Sequence, residues 1–236
     1  MKQGTSLKKS LSICLLTILT LGMLSPAQAA SVFTTKEYGG ERVIYLTGDI
    51  RTGDAEKLSK VIDNNPGVKT VVMWSNGGVA VEGQRIGSVL SENKMKAVVK
   101  ESTWCMSACA DAFLGAAEYV IDGGTLGFHK AWIPPVYRNR IGTQEAFDSG
   151  QIYGAENVQW VLANGFNIQL ANAINYYTAP DTFLVFFSEE SLMKFYVRDE
   201  DNNINDYLKP VVPYDQSLLD FHVFKVDRLL RITGNR

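Results

Sequence analysis

The sequence predicts an α/β protein, a mainly parallel sheet flanked by helices, and three observations carry that expectation. Short runs rich in β-branched and aromatic residues alternate with helical patterns of about ten residues, as in βαβ units with right-handed crossovers. Glycine turns punctuate the alternation at Pro66-Gly67, Asn76-Gly77-Gly78 and Asp122-Gly123-Gly124. No repeat, low-complexity tract or long linker divides residues 30–236, so they are read as one domain with a substantial core.

The elements follow in order. Residues 42–46 (Arg-Val-Ile-Tyr-Leu) are a short apolar run and hence a strand. Thr52 can cap a helix over 53–64, with Ala55, Leu58, Val61 and Ile62 on one face. Residues 70–74 form a second buried strand, and 82–93 a helix with Ile86, Val89 and Leu90 inward. A third strand over 95–99 leads to a turn at Ser107, from which a helix runs to about Ala116. Short strands at 119–121 and 125–128 flank the Asp122-Gly123-Gly124 turn. Beyond His129, Pro134-Pro135 forces an extended or turn segment. Residues 144–162 read as a helix weakened by Gly150 and Gly154. A better one covers 167–177, with Leu170, Ala171, Ile174 and Tyr177 on one face. Residues 183–187 are apolar and aromatic, and Ser188-Glu189-Glu190 starts another helix. The segment 198–236 has no assigned role, though 218–232 is apolar enough to pack on the domain or a neighbouring subunit.

The first 29 residues read as a cleaved secretory signal. Lys2, Lys8 and Lys9 form a basic start, 11–24 an apolar run, and Ala27-Gln28-Ala29 a small-residue cleavage site. The run is shorter than the roughly 20 residues a membrane span needs. A periplasmic protein without a membrane anchor is expected, with a retained anchor as the alternative. The precursor carries 23 Lys and Arg against 25 Asp and Glu; losing three lysines with the leader takes the net charge from −2 to −5. That balance argues against a nucleic-acid partner. Cleavage also removes Cys14, leaving Cys105 and Cys109. In an oxidising compartment the pair is expected to form a disulfide bracketing Ser107, the alternatives being two buried thiols or a cysteine nucleophile.

Cys105-Met106-Ser107-Ala108-Cys109 and Gly127-Phe128-His129 carry the chemistry. A hydroxyl barely ionises at neutral pH and needs a base to take its proton as it attacks. Only His129 and His222 are on offer. His222, beside Phe221 and Val223, is read as packing at a surface or interface. Gly77-Gly78, Ser107 and His129 all follow predicted strands, and reactive groups gather at the carboxyl ends of strands in such sheets. Trp132, Trp160, Tyr176 and Tyr177 are read as core or subunit packing, with the lining of a substrate groove as the alternative.

Four stretches, in order, resemble the Clp-type peptidase branch of the ClpP/crotonase superfamily, and in particular its exported bacterial members. They are Glu41-Arg42-Val43-Ile44-Tyr45-Leu46-Thr47-Gly48; Ser75-Asn76-Gly77-Gly78 with Val81-Glu82-Gly83; the Ser107 elbow; and Leu126-Gly127-Phe128-His129. The resemblance covers roughly residues 42–197 and implies a ClpP/crotonase-like βαβ spiral. It makes Ser107 the nucleophile, His129 its base, and the amides of Gly78 and Ala108 an oxyanion hole. Asp181, before Thr182-Phe183, would complete the triad; its alternative use, after Pro180, is in a turn. Asp122 and Asp148 are the substitutes. Asn76 departs from the family's usual proline, and nothing after His129 obviously matches the helix by which Clp-type rings stack.

The function expected is an exported serine hydrolase, a peptidase acting on peptides or unfolded segments through an acyl-enzyme. Neither metal nor cofactor is called for. No ATPase partner is expected outside the cytoplasm, and self-association is expected by family analogy. The alternative is an inactive scaffold that binds a peptide or envelope partner in the same cleft; acyl-CoA chemistry, as in the crotonase branch, is disfavoured in the periplasm.

Overall fold

A computed structural model of the chain describes residues 32–133, 140–197 and the strand Val223–Lys225. The expected leader at 1–29, the Pro134-Pro135 segment, His222 and the rest of 198–236 lie outside the described residues. Two sheets are present. The first comprises β1 (Val32–Tyr38), β2 (Glu41–Thr47), β3 (Thr70–Trp74), β4 (Lys96–Lys100) and β6 (Glu118–Asp122), hydrogen-bonded in that order. Its strands run parallel except β1, which returns on β2 as a hairpin. The second comprises β5 (Trp104–Met106), β7 (Thr125–Phe128), β8 (Thr182–Phe186) and β9 (Val223–Lys225). Here only β5 and β7 are parallel.

The protein is thus α/β with mixed sheets flanked by helices, less parallel than expected. Between β7 and β8 the described residues include two helices, α4 (Thr143–Ala163) and α5 (Ile168–Tyr177), and β8 returns antiparallel to β7.

Side-chain alternation assigns the faces of the first sheet. Ile44, Leu46, Val71, Met73, Ala97 and Val99 join the main core with α1 (Asp54–Asp63), α2 (Ala80–Glu92) and α3 (Ala108–Leu114). The alternate residues Val43, Tyr45, Val72 and Val98 form a second buried cluster. Strands buried on both faces read as unbroken apolar runs, which is how they stand out in the sequence. Every residue of α3 is buried. A short helix, α6 (Glu189–Met193), begins at Ser188, whose hydroxyl accepts from the Ser191 amide.

Two devices fix the region around Ser107. The buried Glu82 carboxylate of α2 accepts from the Gly53 and Ala55 amides at 3.1 and 2.8 Å, capping the free N–H groups of α1 from across the fold. Beyond β3 the chain is stitched to β5: Ser75 N–H donates to the Trp104 carbonyl at 2.9 Å and Met106 N–H to the Ser75 carbonyl at 3.0 Å. The two sheets meet there.

Candidate active site

Ser107 stands where β5 gives way to α3, with φ 56° and ψ −127°. A non-glycine residue adopts that region at a cost of about 1–3 kcal/mol and keeps it only where the surroundings impose it. The surroundings here are specific. Ser107 N–H donates to the Gly127 carbonyl at 2.8 Å, and the Ser107 carbonyl accepts from Ala110 and Asp111 at 2.7 and 3.1 Å. Cys105 and Cys109, both fully buried, are joined by a disulfide with Cα atoms 5.1 Å apart, bracketing the elbow. The Ser107 side chain makes no capping bond to α3 and is free to point elsewhere. Closing so short a loop removes about 2 kcal/mol of unfolded-chain entropy. A Cys105→Ala/Cys109→Ala variant is therefore expected to unfold about 2 kcal/mol more easily, as read by urea titration against the oxidised protein.

His129 meets that hydroxyl. The register pairs Met106 with Gly127, so Ser107 and His129 leave the second sheet near one another. His129 Nε2 lies 2.7 Å from Ser107 Oγ. The imidazole is tilted 35° against the Phe183 ring with centroids 4.4 Å apart. Just after it, Lys130 N–H donates to Thr178 Oγ1 at 2.7 Å, and that hydroxyl donates to the Ile174 carbonyl at 2.6 Å. The end of α5 thereby fixes the strand that carries the histidine.

Burial holds the His129 pKa below its ordinary 6.5, opposed by the nearby Ala179 carbonyl. At neutral pH the ring is uncharged, the form a base requires. For Nε2 to accept a serine proton, the ring's own proton must sit on Nδ1. Nδ1 is buried, and the Ala179 carbonyl, though close enough to favour the charged ring, does not meet it in hydrogen-bonding geometry.

Asp181 is not brought to that nitrogen. Ala179 and Thr182 exchange two backbone hydrogen bonds, of 3.3 and 3.0 Å, and Pro180-Asp181 forms the tip of the tight turn between them. At the tip the carboxylate is exposed, and it accepts from the Thr182 hydroxyl at 3.3 Å. Neither substitute takes its place. Asp122 accepts from the Tyr38 hydroxyl at 2.8 Å, and Asp148 from the Gln144 amide at 2.7 Å, both at exposed positions.

The two amides assigned to the oxyanion hole are available. Neither the Gly78 nor the Ala108 N–H donates a hydrogen bond among the described residues. Ala108 is the first residue of α3, where an N–H has no helical acceptor. Gly78, at φ 147°, sits against the Ile50 backbone so closely that a Cβ would overlap the Ile50 carbonyl. At Gly77, φ 95°, a Cβ would come within 2.7 Å of Ser107 Cβ and 2.9 Å of the Ala108 nitrogen. The double glycine is what lets this turn lie directly on the elbow.

Several supports leave little trace in the sequence. Thr178 carries no signal there, and Phe183 stands out only as context for Asp181. The aromatic wall beside the site is made by Trp74 and Trp104. Trp160 donates from Nε1 to the Asp111 carbonyl at 2.9 Å, and Tyr177 packs against the core. Tyr176 is 80% exposed and Trp132 41%.

Fold and site together define an α/β protein with a serine–histidine pair on a strained strand-to-helix elbow. No protein-family model matches the chain, and no curated protein does. Among solved structures it is similar to a mutant of the 1510-N membrane-bound stomatin-specific protease. That match has 12% identity and a TM-score of 0.38, over 66% of this chain and 75% of that one.

Proposed function

We propose that the chain is an exported serine hydrolase, a peptidase that cleaves peptides or unfolded segments through Ser107 and His129. The observation that carries this reading is the 2.7 Å contact between His129 Nε2 and Ser107 Oγ at the strained elbow. Ser107 Oγ attacks the peptide carbonyl carbon, and its proton passes to Nε2 as the new C–O bond forms. The carbonyl oxygen takes up negative charge, which the Gly78 and Ala108 amides stabilise at roughly 3 kcal/mol per donor. Nε2 then gives the proton to the leaving nitrogen, the C–N bond breaks, and an acyl-enzyme remains. Water, deprotonated by the same imidazole, hydrolyses the ester and restores Ser107.

The finer parts of the proposal have separate supports. Membership of the exported Clp-type peptidases rests on the four ordered motifs. Periplasmic location rests on the leader-like residues 1–29, and independence from an ATPase on that location. Self-association is supported by the exposed Phe147, Ile152 and Tyr176. Among the described residues the Nδ1 of His129 has no hydrogen-bond partner, which favours a second reading, a scaffold that binds peptides without cutting them.

A small alkyl fluorophosphonate separates the two. Intact-mass spectrometry of the oxidised protein is expected to show one adduct, absent in Ser107→Ala. Failure to label the folded wild type selects the scaffold.

A further inference from the structure

A cleft of about 250 Å³ opens beside the elbow, lined by Thr47, Gly48, Trp74, Ser75, Asn76 and Trp104. Whole drug-sized ligands take about 300–1,000 Å³, so this space suits a single large side chain. We infer that it is a substrate subsite for a neutral aromatic or large aliphatic side chain close to the scissile bond. The inference rests on the hydrolase reading for its chemistry but on different residues.

The walls state the preference. Trp74 and Trp104 meet edge to face, with centroids 5.5 Å apart and planes at 88°, and so form an apolar corner. The polar groups around that corner are already engaged. Trp104 Nε1 donates to Asn76 Oδ1 at 2.8 Å, and Ser75 Oγ donates to the Gly48 carbonyl at 2.5 Å while accepting from Gly77 N–H at 3.0 Å. Among the described residues, none that lines the cleft is charged. A lysine or arginine could stack on the indoles, but it would find no carboxylate in the lining. A carboxylate would find no cation. Burial of apolar area is the one reward offered.

Position links the cleft to the reaction. Trp104 lies three residues before Ser107 on β5, and Asn76 directly precedes the Gly77 that packs on Ser107. An extended chain advances about 3.3 Å per residue, so a substrate lying along β5 would reach the cleft within three residues of the bond cut. The Trp104–Asn76 bond holds the indole in place before substrate arrives, and such preorganisation spares binding the cost of ordering it.

Two readouts test the inference. The first is a set of tetrapeptide diphenyl phosphonates, in which Ser107 Oγ–phosphorus bond formation expels phenoxide, carrying Phe, Leu, Asp or Lys at each of three positions beside the phosphorus. The second is calorimetric binding of the corresponding peptides to the folded Ser107→Ala protein. At one position the ratio of Phe to Asp labelling rates is expected to be at least tenfold in the wild type and under threefold in Trp74→Ala. Trp74 is 42% exposed, so truncating it leaves the core intact, and Trp104→Ala is the confirming variant. Phe over Asp and Lys binding to Ser107→Ala, lost when Trp74→Ala is added, supports the subsite even if no phosphonate labels, in which case only the hydrolase reading fails. Labelling with no position that prefers Phe, a preference for Lys, or a preference that survives both tryptophan variants overturns the subsite. Absence of both labelling and peptide binding overturns both.

Discussion

His129→Gln is expected to slow fluorophosphonate labelling of Ser107 by about 10²–10⁴-fold, the usual contribution of a positioned general base. The same measurement on Asp181→Asn is expected to change by less than about threefold. The contrast follows from the geometry. His129 Nε2 is 2.7 Å from the nucleophile, whereas Asp181 is exposed at a turn and bonded to its neighbour Thr182. In a working triad the buried carboxylate orients the ring, and replacing it by an amide costs about 10⁴-fold. A loss of that order in Asp181→Asn would show that the Pro180-Asp181 turn rearranges to engage Nδ1. The pH profile supplies a second check. Burial lowers the His129 pKa, so the acid limb of the labelling rate in wild type should fall below pH 6.5. A limb above 6.5 would mean that a carboxylate had joined the ring.

Much of this site was legible because apolar periodicity and glycine turns are local signals. The strands at 70–74 and 125–128 and the helix faces of α1 and α2 follow from them directly. So does the histidine, placed just past a strand end. What was not legible is what depends on distant partners. β1 is a polar run, Val-Phe-Thr-Thr-Lys-Glu-Tyr, that becomes a strand only because β2 pairs with it residue for residue. β5 has three residues and is defined by its ladder to Gly127 and its bonds to Ser75, not by any propensity. Asp181 illustrates the limit most plainly. The resemblance assigned it to the triad, but a proline before it and a two-bond turn around it send its carboxylate outward. The tryptophans beside Ser107 were hidden for the same reason, since Trp74 and Trp104 are 30 positions apart until β5 docks next to β3.

The largest stability effect belongs to a residue outside the reaction. Asp111 lies one helical turn beyond Ser107 on α3 and is 6% exposed, with the Tyr153 hydroxyl of α4 donating to Oδ2 at 3.3 Å. No cation pairs with it among the described residues. Desolvation pushes its pKa up to about 7, and the Tyr153 hydrogen bond only partly opposes that rise. The folded-state value lies above the ordinary 3.8. The protonated acid therefore contributes its full stability below about pH 4, and that contribution is lost as the pH rises towards 7. A tenfold change in proton affinity between folded and unfolded chains is worth about 1.4 kcal/mol, so ionising Asp111 in the folded protein costs on the order of 2–4 kcal/mol by pH 8. Asp111→Asn keeps the shape and a hydrogen-bonding oxygen for Tyr153 but carries no charge at any pH. It is expected to be more stable than wild type by about 2–4 kcal/mol at pH 8 and nearly equal to it at pH 4. Urea titrations of both proteins across that range read the difference directly, and the difference cancels the opposing contribution of His129, whose lowered pKa reduces stability as the pH falls below 6.5. Two parallel profiles would mean that Asp111 is already compensated in the folded chain.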